Sequence, residues 1–440
     1  MTNFEKRKTR YSGWAPGFIL WSGFYCYSPA HVQARGERRE CGQTPSFMQR
    51  RCRQALAAVV AVIALVLFGV GRTVWFEKLK PCDDEKDVKL VMWSWEFARR
   101  CCDVYPSNGE VTSIEQDLTY FGRRELQNGS IVYVKVTDFA PFLQRFVALP
   151  PHFRITLVSG MDDVGPVEAF SAAKSRLGAV LPVSLAQFLA DERLRAWFAQ
   201  NYDLGCNVVT QSCLSDNAEF SQNSTINNHL LAKIRPLPLG IDLHTWADKG
   251  DMFSAAFQAK VCQQRRQLKE LTSSTSMSHY DAKDLSVVWA FSCVFKNPND
   301  IRKRVRGELC RLLTGSNFSN LVVPSVGKGE AGRIQFWRKL QRHTFAFAPP
   351  GAGLDTHRFW EILLLQSVPI VISSPLDVLY SQFPVLIVSS WQQAFNRTFL
   401  AEAKNRIKRQ WGLGLDGRGA LSASTFDRLT IDYWMSRVNG

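Results

Sequence analysis

An α/β fold of two doubly wound, parallel-sheet halves is what this sequence predicts, and three observations carry the prediction. Between residues 150 and 395 short apolar runs alternate with helical patterns, as in parallel strands joined by crossover helices. The runs "LSVVWAFSCVF" (285–295), "HTFAFAP" (343–349) and "SVPIVI" (367–372) have the β-branched and aromatic content of buried strands. At 440 residues the chain exceeds one ordinary core, and the extended Pro/Gly segment "IRPLPLGID" (234–242) divides the alternation in two. The expected architecture is an N-terminal Rossmann-like domain (111–240) and a C-terminal one (241–440) facing a cleft.

The regions before residue 111 follow from hydropathy and charge. Ala55–Gly71, "ALAAVVAVIALVLFGVG", carries no charge or hydrogen-bonding side chain, and its length is at the lower end of the roughly 17–25 residues that span a bilayer. "QRRCR" precedes it, and Arg72, Trp75 and Phe76 follow as interface anchors. Residues 1–54 hold ten Lys/Arg against three Asp/Glu, while "PCDDEKD" beyond the span is acidic. By the positive-inside rule, 1–54 is a cytosolic tail, 55–71 a signal anchor, 72–110 a stem, and the remainder is lumenal. The apolar run starts too far into the chain for a cleaved signal peptide.

Within the lumenal part, "HFRITLVSG" (152–160) reads as a strand leading to Asp162 and Asp163. "SLAQFLADERLRAWFAQ" (184–200) reads as one amphipathic helix with Ser184 and Gln187 as a capping box. In the second half, "IRKRVRGELCRLL" reads as a helix capped by Asp300 and carrying Arg302 and Arg304 in its first turn.

The net charge of +15 invites a nucleic-acid reading, but nearly half of it belongs to the tail. The rest is diffuse, with no basic run interleaved with aromatics, so nucleic acid is excluded as a partner and a nucleotide anion suits the excess better. Sequons stand at Asn128, Asn223, Asn317 and Asn396. Eight of the 11 cysteines lie beyond the span and permit up to four disulfides; Cys206 and Cys213 are the best local pair. Cys293 and Cys310 fall in apolar patterns, where buried free thiols are as good a reading. No Cys/His cluster has zinc spacing, and no DxD occurs anywhere, so no metal or other cofactor is expected.

The densest cluster of chemistry is "PPGAGLDTHRFWEILLL" (349–365). Strand 343–349 delivers it to the carboxyl end of a parallel sheet, where such sheets bind ligands. Gly351 and Gly353 let backbone approach a ligand, and Asp355 or Thr356 caps the following helix, whose amides and dipole favour an anion. On that helix His357, Arg358 and Glu361 share one face, with Phe359, Ile362 and Leu363 toward the core. Such a face would place a diphosphate on the glycine turn and Arg358, and ribose hydroxyls on Glu361.

The stretch 343–391, with its Pro–x–Gly–x–Gly–x–Asp–x–His–Arg–x–Trp–Glu pattern, resembles the C-terminal region of exostosin-like glycosyltransferases, family 47-like and including the ribitol xylosyltransferase type. "LVSGMDD" (157–163), "WFAQNYD" (197–203) and "RPLPLGID" (235–242) extend the resemblance over about 150–395. It implies a GT-B-type fold, a type II Golgi membrane protein, and inverting transfer of a sugar from a nucleotide donor such as a UDP-sugar to a glycan or glycoprotein. It also implies a diphosphate contact for Arg358 and a ribose contact for Glu361. The chain departs from exostosins proper in having Ala348 where a Cys often precedes the proline, and in lacking their second, DxD-bearing domain.

Without a metal, the leaving group falls to arginine and helix amides, with Arg302 reaching the same phosphates. Inversion needs a base from the N-terminal half; Asp163 is the choice and Asp162 the alternative, with Asn201 and Asp203 holding the acceptor. Two other classes stay open. One is a lumenal carbohydrate-binding scaffold without turnover. The other, a sulfotransferase, calls for a phosphate loop near the first strand, and none is present.

Overall fold

The computed structural model describes residues 92, 94–103, 127–135, 138–160, 163–177, 183–204, 229–243, 255–273, 279–293, 300–315, 320–324, 329–413 and 421–440. All belong to one compact unit, Lys78–Gly440. The tail, the Ala55–Gly71 run, Asp162, Cys206, Cys213, Asn223 and Asn317 lie outside the described residues. Among the described residues no helix is long and apolar enough to cross a membrane. Part of the expected stem is folded: α1 (Ser94–Cys101) buries Phe97 and Ala98 completely or nearly so.

Two parallel sheets with helical connections form the α/β architecture that the alternation predicts. In the N-terminal half β1 (Ile131–Val134), α2 (Phe139–Val147), β2 (Ile155–Ser159), α3 (Pro166–Leu177), α4 (Leu185–Ala190), β3 (Leu194–Ala199) and β4 (Ile234–Pro236) follow one another. Their strands pair in the order β1-β2-β3-β4, all parallel. A cluster of Phe139, Phe142, Phe146, Phe170, Phe188 and Trp197 fills one face, with Phe139 stacked on Trp197 at 5.2 Å.

The helix expected over 184–200 is half strand. Its start is as expected: Ser184 Oγ accepts from the Gln187 amide and Gln187 Oε1 from the Ser184 amide. The helix stops at Ala190 because Asp191 turns extended and Arg193 folds back, bonding Asp191 and the Val147 and Leu149 carbonyls. Leu194–Ala199 is then buried almost throughout between β2 and β4, and sheet pairing overrides an apolar spacing that serves a helix equally well.

The C-terminal half holds α5 (Ala255–Ser273), β5 (Asp284–Trp289), α6 (Ile301–Thr314), β6 (Val322–Pro324), α7 (Gly329–Leu340), β7 (His343–Phe347), α8 (His357–Leu364), β8 (Val368–Ile372), α9 (Asp377–Tyr380), β9 (Leu386–Val388), α10 (Arg397–Trp411), α11 (Ala423–Asp427) and α12 (Ile431–Asn439). Its sheet order is β6-β5-β7-β8-β9, again all parallel. The chain leaves β5 toward β6 on one side and leaves β7 toward β8 on the other, so the β5/β7 border is the topological switch point, where such sheets bind ligands. The exit of β5 is Ala290 and the exit of β7 is the glycine motif.

Lys283, buried just before β5, donates to the Leu340 and Gln366 carbonyls at 2.9 and 2.7 Å, tying together the C-terminal ends of α7 and α8. Burial pulls its ammonium down to about 7, and Lys404 adds to the effect. The chain then returns to the first half: the Met92 amide bonds the Leu429 carbonyl, Arg195 on β3 bonds the Gly440 carbonyl, and α12 packs on α1. The cysteine reading is resolved for one pair: Cys293 and Cys310 form a disulfide, Cys262 is also disulfide-bonded, and Cys101 and Cys102 are buried free thiols.

Candidate functional site

The segment after β4 crosses between the halves, and its backbone is gripped at nearly every residue. Gln200 donates to the Pro238 carbonyl and Ser94 to the Leu239 carbonyl. The Leu239 amide donates to Asp355 Oδ2 at 2.8 Å. His357 Nδ1 lies 2.7 Å from the Gly240 carbonyl; a carbonyl only accepts, so Nδ1 carries the proton there. Gly240 sits at φ +77°, and a Cβ would strike the Met92 carbonyl at 2.1 Å, which explains the glycine.

Asp355, expected to touch a ligand or cap α8, is instead 2% exposed and the centre of this grip. Besides Leu239 it accepts from its neighbour's amide at Thr356, from Trp360 Nε1 and from the Tyr380 hydroxyl. Tyr380 stacks on Phe359 at 3.9 Å, so the aromatic wall under α8 is fixed to the same carboxylate. Burial pushes the Asp355 carboxyl up to about 6 against the pull of its donors and of His357.

Asn201, expected to hold an acceptor, is 1% exposed in the wall between the halves. It adopts the left-handed conformation at φ 51° and its Oδ1 accepts from the Asp355 amide at 2.8 Å. A Cβ on Gly353 would come within 2.4 Å of that Oδ1, so Gly353 is required by close approach to a neighbouring side chain. Gly351 differs: its nearest neighbour for a Cβ is Thr356 at 3.6 Å, leaving the backbone open on that side. Asp203 caps α3 by accepting from the Val167 and Glu168 amides, and burial raises its carboxyl to about 6.

Glu361 does not share an open face with Arg358. It is 6% exposed and accepts from Arg333 at 2.5 Å and from Trp337 Nε1 at 3.1 Å. Arg333 in turn bonds Gln264 and the Asp242 carbonyl, so this buried pair reaches the crossing segment as well. The helical wheel placed Glu361 beside Arg358; what it could not show is that α7 packs over that side and brings the charge Glu361 needs.

Arg358 is the motif residue that reaches the β5/β7 switch point. Nη2 donates to the Ala290 carbonyl at 2.6 Å, joining the exits of β7 and β5. Nε is shielded from water and has no hydrogen-bond partner. The rings of Phe291 and Phe336 lie 5.8 and 5.9 Å from the guanidinium. Burial lowers its proton affinity to about 10; Glu361 opposes that, and the charges of Arg306 and Arg333 reinforce it. At the mouth of α8, Thr356 makes no side-chain cap, and its Oγ1 is likewise buried without a partner.

Arg302 does not point at this cluster. It bonds Asp300, the Glu168 carboxylate at 3.4 Å and the Asp163 carbonyl at 3.1 Å, joining α6 to the exit of β2. Asp163 itself is exposed there. Arg306, Arg333, Trp337 and Phe291 escaped the sequence reading, since nothing local marks a helix residue that becomes a partner only when α6, α7 and the β5 exit meet α8. Among the described residues no group of three His, Cys, Asp or Glu is arranged to hold a metal ion.

Comparison with known proteins adds little to this geometry. No family model matches the chain, and no curated protein matches it. One similar solved structure carries the description trehalose-6-phosphate from E. coli bound with UDP-2-fluoro glucose; it is 14% identical over 71% of this chain and 74% of that one, with a TM-score of 0.32. No inference rests on a likeness of that size, and the exostosin-like resemblance stands on the motif alone.

The raised Asp355 carboxyl has a pH consequence. The unfolded group titrates near 3.8 and the folded one near 6, so the folded chain binds the extra proton between those values. The stability this contributes is complete below about 4 and is lost as pH rises through about 6. Asp355→Asn should cost roughly 2–4 kcal/mol at neutral pH by orphaning donors, and its stability gap to wild type should widen from pH 7 to 4.5 in urea titrations. A gap that stays constant or narrows would contradict the shift.

Proposed function

We propose that the chain is a glycosyltransferase that binds a nucleotide-sugar donor, a UDP-sugar being the first choice, at the β5/β7 switch point. The observation that carries the reading is Arg358, a desolvated guanidinium whose Nε has no hydrogen-bond partner among the described residues and whose charge feels both Arg306 and Arg333. A diphosphate would supply an anionic acceptor to the Arg358 Nε–H. The backbone at Gly351 has room around it, although its amide bonds the Gly353 carbonyl, and the first turn of α8 lacks a side-chain cap.

In the mechanism this supports, Arg358 and the α8 amides stabilise the nucleotide diphosphate as it leaves, without a metal ion. Asp163, exposed at the exit of β2, takes the proton from the acceptor hydroxyl while that oxygen attacks the anomeric carbon, which inverts it. Asp355, His357 and Asn201 serve by holding the glycine turn against the crossing segment. Glu361 keeps its ribose role only if a donor shares it with Arg333 and Trp337; that engagement favours the second reading, a carbohydrate-binding scaffold without turnover. The exostosin-like subtype, the Golgi location and the type II topology rest on the motif and on the N-terminal charge pattern.

Thermal unfolding of the full-length chain in detergent, with UDP, GDP, CMP or phosphoadenosine phosphate and with or without EDTA, tests the donor site. UDP should raise Tm in EDTA, and Arg358→Gln should abolish the rise without lowering the unliganded Tm, since it removes a buried unpaired cation. No rise with any nucleotide would favour the scaffold.

The lumenal placement has its own test. Asn128 and Asn396 are exposed, and each spends Oδ1 on a backbone amide, of Arg154 and Phe399, which leaves Nδ2 outward. Expressed in secretory cells, the chain should lose mass on treatment with an N-glycosidase, with one increment fewer in Asn128→Gln and in Asn396→Gln. An unchanged mass would place these residues on the cytosolic side.

A further inference from the structure

We infer that Arg302 is a positioning residue for the base and not a phosphate contact: it fastens the backbone at Asp163 to α6 and so sets that carboxylate against the switch point. The inference rests on reading Asp163 as the base and Arg358 as the donor contact.

Asp300, the cap of α6, accepts from the Arg302 amide and Nε at 2.9 and 3.1 Å and from Nη2 at 3.3 Å. One carboxylate therefore braces one edge of the fork, and Nη1 is the end presented to the other half. There Nη1 donates to the Asp163 carbonyl at 3.1 Å and meets the Glu168 carboxylate at 3.4 Å. Burial disfavours the charge on Arg302, yet the Asp300 bond and the fields of Glu168 and Asp163 hold its proton affinity above the ordinary value. Because the bond is to the carbonyl, the Asp163 side chain stays exposed and able to take a proton.

The segment also has a footing in its own half. Asp203 accepts from the Val167 and Glu168 amides at 3.1 and 3.2 Å, which ties the start of α3 to the exit of β3. Arg302 relates the same segment to the half that carries Arg358. Arg306, whose charge acts on Arg358, stands one turn further along α6 on the side of Arg302. The first turns of α6 thus reach the base segment at one point and the field of the donor guanidinium at the next.

The test follows UDP release from UDP-glucose, UDP-galactose, UDP-xylose and UDP-N-acetylglucosamine by the full-length chain in detergent, with water as acceptor. In that reaction a water oxygen attacks the anomeric carbon, the bond to UDP breaks, and Asp163 receives the proton. For the fastest donor, Arg302→Gln should lower kcat about tenfold, while KM and the calorimetric affinity for UDP stay within about twofold. Arg302→Lys should recover part of the loss. In an Asp163→Asn background Arg302→Gln should cost little more, because it acts through that residue. A partly exposed ion pair contributes little to stability, so Tm should hold in these variants. An unchanged kcat, a loss undiminished in Asp163→Asn, or weakened UDP binding, which would return Arg302 to the phosphates, overturns the inference. Absence of UDP release by wild type from every donor instead overturns the glycosyltransferase reading, and this inference with it.

Discussion

The structure depends on the grip that one helix mouth exerts on a stretch of bare backbone. The crossing segment 237–242 joins the two halves; past Pro236 its Leu237 amide bonds the Ala199 carbonyl of β3 and its Ile241 amide the Met92 carbonyl, and side chains take up other groups of its backbone. Its polar groups must still be satisfied, because Leu237 and Ile241 bury it against the shared core. Asp355, His357 and, through Arg333, Glu361 provide those bonds from the C-terminal half, while Ser94 and Gln200 provide them from the N-terminal half. Three of the motif's four ionisable side chains therefore hold two halves together at a set distance.

That division of labour explains the charge pattern. Asp355 is surrounded by neutral donors and balances no cation by direct contact. Glu361 is matched to Arg333. Arg358 receives only a carbonyl, and Arg306 adds to its excess. Packing that satisfies the carboxylates and leaves one guanidinium short is costly, and under the proposed function a bound anion would recover the cost. Stability given up at one place on a scaffold that is over-determined elsewhere is the ordinary signature of a binding site.

Much of this was legible in the sequence, for identifiable reasons. Strands β5, β7 and β8 carry β-branched and aromatic residues on both faces, and that composition admits little else. The Asp300 cap and the Ser184–Gln187 box were readable because capping is local chemistry. "LRAWFA" was misread because its spacing suits either element and only its neighbours β2 and β4 decide. The reading of the motif assigned its side chains too generously: periodicity put Glu361 on an open face, and α7 closes it. Arg302 was expected at the phosphates because it opens the first helix of the C-terminal half, within reach from the facing loop, yet Asp300 and Glu168 draw it to the N-terminal half.

The central claim is that a nucleotide anion seats at the switch point between Ala290 and Arg358. Hydrogen exchange of the full-length chain, read by peptide mass spectrometry with and without saturating UDP, addresses it without a prior choice of residue. Protection concentrated in 349–360 and 288–293, with β1 and α2 unchanged, is the result this account predicts. Protection confined to the N-terminal sheet, or none under conditions where UDP binds, would contradict it.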